Sequence, residues 1–331
     1  MKIVINNKDV EVREGETLIE VAERVGYSIP SLCYSKGNQH KSSCMVCAVK
    51  DCANGQIIPS CSTLPTEGMQ IDTESADVKL ARTLSLELLL SDHRADCDAP
   101  CSLVCPEGLD IEKMLDYYDA GKMPEAHKEI AKSFRLPQVA CETCKAPCEK
   151  ACRRGTIDKA VAIRSIITEV IDKFHQAALG KSTDTMNEQQ SQQPAKHDKN
   201  IFRSRLGRFS EEEKELLKST VTTTSRCLHC ACVGQEGCKL RLYATSESIK
   251  RSRYEISSAL PAMTRQHVSG NIWFEPAKCV SCGLCVYNSK NGFTFKDRGF
   301  VMQVMLPKEN AENINEKLTE LCPTGALYIR K

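Results

Sequence analysis

No apolar run in this 331-residue chain approaches the roughly 20 residues a helix needs to cross a bilayer, so no membrane span is expected. Residues 1–12 alternate like a strand and lack the apolar stretch of a secretory leader. Aromatic residues make up only 5% of the chain, with a single tryptophan, so large buried rings cannot supply much of the folding energy. Charge of one sign is also missing. Lys and Arg number 45 against 43 Asp and Glu, which gives no global bias toward nucleic acid. No helix-turn-helix or basic face is evident. No G-x-G-x-x-G follows a strand-like stretch and no Walker loop occurs, so dinucleotide and nucleoside triphosphate sites are not expected in this chain.

Cysteine is what the chain has in excess: 20 residues, in a sequence too long for a disulfide miniprotein and long enough for two or three domains. A cytoplasmic location is expected, and thiols kept reduced there read as metal ligands rather than disulfides. Metal binding would also supply folding energy that an aromatic-poor core does not.

The densest stretch runs from His93 to Cys152. It opens His93-x3-Cys97-x3-Cys101-x3-Cys105-Pro106 and closes Cys141-x2-Cys144-x3-Cys148-x3-Cys152. Spacings of four stack side chains on one side of a helix. Pro100 and Pro106 break the first run into helix turns and loops. Eight donors suffice for two four-ligand clusters, and Cys-Pro at the end of such a run recurs in [4Fe–4S] sites.

Two blocks carry a family resemblance: Asp98-Ala99-Pro100-Cys101 through Cys105-Pro106, with Gly108-Leu109-Asp110-Ile111, and Cys144 to Gly155, with Val161-Ala162-Ile163. This stretch resembles the helical two-cluster ferredoxin domain of the glutamate synthase small subunit and dihydropyrimidine dehydrogenase. That family passes electrons between flavins through paired [4Fe–4S] clusters whose ligands cross between the two cysteine runs. The chain departs from the pattern twice. His93 stands at the family's first cysteine, and Ile167 at its Glu or Gln ligand, while Cys141 is an extra donor. The resemblance then implies one cluster on His93, Cys97, Cys101 and Cys152, and another on Cys105, Cys141, Cys144 and Cys148. A surface histidine at a helix end is the competing reading of His93.

Upstream, Asn6-Asn7 predicts a hairpin over residues 2–12, and a helix is expected from Leu18 to Val25, stopped at Gly26. Cys33-x10-Cys44-x2-Cys47-x13-Cys61 then suits a [2Fe–2S] cluster under a small β-grasp sheet. The spacing resembles the N-terminal domain of the large iron–sulfur subunit of bacterial NADH dehydrogenases and of iron-only hydrogenases. Cys52 has no partner in the pattern and reads as a structural thiol. Residues 74–92 place Val78, Leu80, Leu84, Leu88 and Leu89 at helical period.

Between the two cysteine runs, 109–135 predicts two short amphipathic helices broken at Gly121 and Pro124, with His127 solvated, and 157–178 continues as a helix. Residues 181–200 are polar and Gln-rich, as in a linker. Arg203, Arg205 and Arg208 read as a solvated basic face, and Ser210-x-x-Glu213 as a capping box. Cys227-x2-Cys230-x-Cys232-x5-Cys238 is a metal site of open type. Its Cys-x-Cys step is unusual for a [4Fe–4S] cluster, zinc is a rival, and His229 is a further donor. Cys279-x2-Cys282-x2-Cys285 with the remote Cys322-Pro323 resembles a single-cluster bacterial ferredoxin. Asn288 and Ser289 occupy the place of a two-cluster chain's next cysteine, and Gly283 is expected to allow close backbone approach. A short hairpin from Phe293 and a helix over 308–321 complete the region.

The expected class is thus multidomain α+β: a β-grasp [2Fe–2S] ferredoxin domain over 1–74, an all-α domain with two [4Fe–4S] clusters over 75–178, a linker over 179–209, a Cys-rich cluster- or zinc-binding segment over 210–270, and a small α+β single-cluster [4Fe–4S] ferredoxin domain over 271–331. Every cysteine but Cys52 is placed in a site. One [2Fe–2S] and three or four [4Fe–4S] clusters make the chain an electron relay, expected to be a non-catalytic subunit of a soluble flavoprotein oxidoreductase. Flavin and NAD(P) would sit on partner subunits, with a ferredoxin or a catalytic metal subunit as further partners of the same kind. A free ferredoxin-like carrier or a metal-sensing regulator is the alternative.

Overall fold

The computed structural model describes all residues except 94–95, 135–140, 180–208, 210, 222, 233–236, 250–253, 255–264 and 331. The Gln-rich stretch 181–200, Arg203, Arg205, Arg208 and Ser210 therefore lie outside the described residues. Two compact units emerge: residues 1–94 together with 233–331, and residues 95–232.

The first unit opens with β1 (Lys2–Ile5) and β2 (Lys8–Glu11). Asn6 and Asn7 join them with φ of 47° and 65°. Both lie in the left-handed region that a two-residue hairpin requires, and asparagine tolerates it. Helix α1 (Leu18–Arg24) follows, with the Glu20 carboxylate accepting from the Thr17 N–H at 2.9 Å. Strands β3 (Ala48–Asp51), β4 (Ile57–Pro59) and β5 (Gln70–Asp72) complete a five-stranded sheet in the order β2-β1-β5-β3-β4. Only the β1–β5 pair is parallel. Ile3, Ile5, Val10, Val49 and Ile71 pack against Leu18 and Val21 of α1. Helix α2 (Ala76–Asp92) splits the leucine series seen in the sequence. Val78, Leu86 and Leu90 are buried, whereas Leu80, Leu84 and Leu88 face outward.

The second unit is helical: α3 (Pro100–Leu103), α4 (Ile111–Asp119), α5 (Met123–Ser133), α6 (Pro147–Lys150), α7 (Ile163–Leu179) and α8 (Glu211–Thr220). Asp110 caps α4 by accepting from the Lys113 N–H at 3.2 Å, and Gly121, at φ 70°, turns the chain into α5. Ile111, Met114 and Leu115 pack against Ala126, Ile130, Ile163, Val170 and Ile171. The helix expected from 157 starts only at Ile163. A tight turn over Arg153–Thr156 precedes it, held by the Arg154–Asp158 pair at 2.7 Å.

The chain returns to the first unit with α9 (Lys239–Ser246), which packs against α2. Next come β6 (Gln266–Ser269), β7 (Ile272–Phe274), α10 (Leu284–Asn288), β8 (Thr294–Lys296), β9 (Gln303–Met305), α11 (Lys317–Leu321) and β10 (Leu327–Ile329). They form a three-stranded sheet in the order β10-β7-β6 and a β8–β9 hairpin. The helix expected over 308–321 divides. Residues 308–313 form a 3₁₀ turn, Ile314 is extended at φ −96° and ψ 122°, and only α11 is α-helical. Asn310, Asn313 and Asn315, poor interior helix residues, account for the break. No helix among the described residues is long and apolar enough to cross a membrane.

Candidate metal centres

In the first unit the loops between α1 and β3 and after β4 deliver Cys33, Cys44, Cys47 and Cys61, all buried. Their thiols form a linked set. Cys33 is within hydrogen-bond reach of Cys44 and Cys61, and Cys47 of Cys61. Sharing hydrogen bonds this way stabilises the first anions. The Cys44 and Cys61 thiols push Cys33 down, and Cys61 pulls Cys47 down to about 6. The same sharing raises Cys44 and Cys61. The Ser42 hydroxyl lies 3.2 Å from the Cys61 sulfur. A set that parts readily with its first protons suits a cationic cluster. Cys52 is exposed, away from this group.

Cys279, Cys282, Cys285 and Cys322 also converge. Cys285 feels the charges of the other three, and burial raises the thiols of Cys279, Cys282 and Cys285, Cys279 to about 12. Ser281, at φ 51°, points its N–H at the Cys279 sulfur at 3.3 Å, and the Leu327 N–H reaches Cys322 at 3.4 Å. Gly283 sits at φ 79°, and a Cβ there would meet the Tyr287 ring at 2.7 Å. The glycine is thus required by its backbone conformation and by ring packing.

Cys282 lies close enough to Cys33 to feel its charge, so the two quartets of the first unit are neighbours. A contact not foreseen from the sequence joins their loops. The Asn288 side chain accepts from the Gln39 N–H at 3.1 Å and donates to the Gln39 carbonyl at 2.7 Å. The Ser31 N–H also donates to the Tyr243 hydroxyl at 3.3 Å. The sequence marked Asn288 only as standing where a further cysteine might have been.

In the second unit Cys105, Cys141, Cys144 and Cys148 line one cavity of about 210 Å³, together with Pro106, Phe134 and Ile167. Burial raises Cys141 to about 11 and Cys148 to about 12. Arg164 borders the cavity and fixes the loop by donating to the Cys144 carbonyl at 2.9 Å. Ile167 presents only hydrocarbon there, so it supplies no ligand.

Cys101 and Cys152 face a second, narrower cavity of about 20 Å³, and Cys227 and Cys230 line it with them. The family resemblance implied other company for Cys101 and Cys152, and linear spacing other company for Cys227 and Cys230. The segment carrying Cys227 is pinned to the helices. The Ser225 N–H and hydroxyl donate to Asp119 at 2.7 and 2.5 Å, and Arg226 pairs with Asp158. His229 Nδ1 lies 2.9 Å from Glu112 and its Nε2 3.5 Å from Asp119, so both ring nitrogens face carboxylates. Ala231 bridges to Asp96, and the Cys232 N–H donates to the Cys97 carbonyl at 3.3 Å.

His93 is buried where α2 ends, not on the surface. Cys238 is buried at the start of α9, its sulfur accepting from the Arg241 N–H at 3.4 Å. Among the described residues, no group of three or more His, Cys, Asp or Glu closes on a point as one metal ion would require.

Comparison with known proteins finds cluster-binding domains over two stretches of the chain. Residues 1–76 match a 2Fe-2S iron-sulfur cluster binding domain, and residues 88–179 match dihydropyrimidine dehydrogenase domain II, a 4Fe-4S cluster domain. The chain thus carries a [2Fe–2S] domain followed by a [4Fe–4S] domain. It is 34% identical over 166 residues to the HndD subunit of an NADP-reducing hydrogenase from Solidesulfovibrio fructosivorans, covering 46% of this chain and 27% of that one. It is 28% identical over 178 residues to a subunit of an NADH-quinone oxidoreductase from Rhizobium meliloti, covering 49% and 20%. The alpha subunit of an NADPH-Fe(3+) oxidoreductase from Geobacter sulfurreducens matches at 28% over 136 residues, covering 41% and 16%. The chain therefore spans about a quarter or less of these relatives. A chain of an NAD+-reducing [NiFe]-hydrogenase in the H2-reduced state shares the fold with a TM-score of 0.51 at 14% identity, over 99% of this chain and 87% of that one.

Proposed function

We propose that the chain is an electron-relay subunit of a flavoprotein oxidoreductase complex, NAD(P)H-, ferredoxin-, formate- or hydrogen-linked. The observation that carries this reading is the grouping of cysteines. Three sets of four lie together, each within one unit: Cys33, Cys44, Cys47 and Cys61 within hydrogen-bond reach of one another, Cys105, Cys141, Cys144 and Cys148 around one cavity, and Cys279, Cys282, Cys285 and Cys322 close enough to feel one another's charge; the two matched domains are both cluster-binding domains. Bound there, iron–sulfur clusters accept and release single electrons.

Cys33, Cys44, Cys47 and Cys61 hold a [2Fe–2S] cluster beneath the five-stranded sheet, whose order and covering helix suit a β-grasp domain. Cys105, Cys141, Cys144 and Cys148 hold one [4Fe–4S] cluster, and Cys279, Cys282, Cys285 and Cys322 another. The remaining donors, among them His93 through an imidazole nitrogen, supply one or two more, with zinc as the alternative for those at 227–238. The chain's own residues bury the thiolates, direct backbone N–H groups at sulfurs and, through Asn288, hold the first and last centres side by side. Flavin- and NAD(P)-binding functions fall to partner subunits.

Anaerobic purification with iron, sulfide, zinc and flavin analysis tests this. The expected content is 14 to 18 irons per chain, summing about two for a [2Fe–2S] centre and four for each [4Fe–4S] centre, with a copurifying flavoprotein. Fewer than about eight irons at good yield overturns the multi-cluster reading, since that leaves room for fewer than two [4Fe–4S] centres. Full iron content with no partner at any stage favours the free-carrier alternative.

A further inference from the structure

We propose that Cys101, Cys152, Cys227 and Cys230 together ligate one [4Fe–4S] cluster, so that the segment after the Gln-rich stretch completes a site begun in the helical unit. The inference rests on the electron-relay reading and goes beyond it by reassigning ligands that the family resemblance and the linear spacing group differently.

Three independent features of the second unit carry it. First, the four sulfurs share one cavity, which also takes in Ala99, Pro100 and Val161 but not Cys97 or Cys232. Cys101, Cys227 and Cys230 are each less than a tenth exposed. Second, Cys227 has the local backbone of a cluster loop found elsewhere in the chain. His229, two residues on, lies at φ 49° and points its N–H at the Cys227 sulfur at 3.3 Å. Ser281 at φ 51° does the same to Cys279 at 3.3 Å. Left-handed backbone is uncommon outside glycine, and histidine is among the residues that tolerate it. Here Glu112 and Asp119 hold the His229 ring on the helical side of this turn. Third, the charge environment suits an anionic cluster. Arg153 and Arg154 line the cavity, positioned by Asp96 at 3.1 Å and Asp158 at 2.7 Å.

This assignment also removes the oddity of the Cys230-x-Cys232 step, because the two sulfurs need not serve one cluster. The cavity is narrow, so a single zinc ion is the rival occupant.

The test uses the full-length, anaerobically prepared protein. Cys101→Ser and Cys227→Ser are each expected to lose about four irons and the same electron paramagnetic resonance signal, which Cys97→Ser keeps. Cys105→Ser should lose a different one. The inference fails if Cys97→Ser and Cys101→Ser remove one signal and Cys227→Ser another, or if the wild type holds stoichiometric zinc that Cys227→Ser releases.

A second measurement needs no variant. During stepwise chelation of the wild type, Cys101, Cys152, Cys227 and Cys230 should become alkylated together, in a step distinct from Cys105, Cys141, Cys144 and Cys148. Exposure of Cys101 and Cys152 with Cys97, while Cys227 and Cys230 stay protected, overturns the proposal. A wild type without iron would instead overturn the relay reading itself.

Discussion

Replacing Asn288 by alanine removes both hydrogen bonds by which α10 grips the loop carrying Gln39. A hydrogen bond of this kind contributes about 0.5–1.5 kcal/mol net, because water competes for the same groups. The two bonds to Gln39 lie in exposed surroundings, so the low half of the range applies, about 1–2 kcal/mol in all. At about 1.4 kcal/mol per tenfold, opening of the loop becomes about 5 to 30 times more frequent. The loop would not detach altogether, since the Ser31 N–H still donates to Tyr243 at 3.3 Å. The assay is amide hydrogen exchange followed by mass spectrometry on the cluster-loaded protein. A peptide spanning residues 36–42 should exchange about 5 to 30 times faster, and peptides from β1 and β5 should not change. Asn288→Asp keeps the acceptor for the Gln39 N–H but loses the donor to its carbonyl, and should fall between. Unchanged exchange at 36–42 in Asn288→Ala would refute the clasp and, with it, the idea that this side chain fixes the spacing of the two quartets.

Two further outcomes follow from charged groups of the first unit. Lys278 and Glu275 form a nearly fully buried pair at 2.7 Å, one residue before Cys279. Lys278→Met should destabilise the C-terminal centre by about 3 kcal/mol, the low end for a broken buried pair because Arg265 stays 3.4 Å from Glu275; denaturant titration of that centre's absorbance checks this, and Lys278→Met with Glu275→Leu should recover most of the loss. Glu16 accepts a two-bonded fork from Arg24 at 2.8 Å, and this chiefly holds its carboxyl down to about 2. A depressed carboxyl stabilises the fold when ionised, so the contribution is full above the ordinary value of 4.5 and fades as pH falls toward about 2. At this solvent edge it is about 1 kcal/mol or less; the melting difference between wild type and Glu16→Gln should shrink from pH 6 to pH 3, and a difference that stays constant contradicts the assignment.

Where a feature depends on neighbours in the chain, the sequence showed it. The Asn6-Asn7 turn needs two residues that tolerate positive φ, and both do adopt it. Cys33, Cys44, Cys47 and Cys61 lie within hydrogen-bond reach of one another on loops of one small domain, and Cys105, Cys141, Cys144 and Cys148 line one cavity. Where burial depends on distant packing, local pattern misled or stayed silent. The leucines of α2 repeat at helical period on more than one face, and the face that is buried was set by β3, β4 and α9. Residues 308–321 had helical length, but three asparagines and an extended Ile314 divide them.

The grouping of Cys101 and Cys152 with Cys227 and Cys230 was the least readable feature, for a reason that lies in chain connectivity. Cys-x2-Cys spacing reports only that two sulfurs can reach one metal. It does not say which other pair completes the set, and any pair brought near by the fold will do. What brings Cys227 to Cys101 is not a cysteine at all. Asp119 holds Ser225, Asp158 holds Arg226, and Glu112 holds His229. Read in sequence, those carboxylates are ordinary polar positions of α4 and of a turn, and His229 looks like a spare ligand. In the fold they act as the latch, and His229 turns both ring nitrogens to carboxylates. A site whose ligands lie far apart in the chain couples the polar contacts that bring them together to cluster binding.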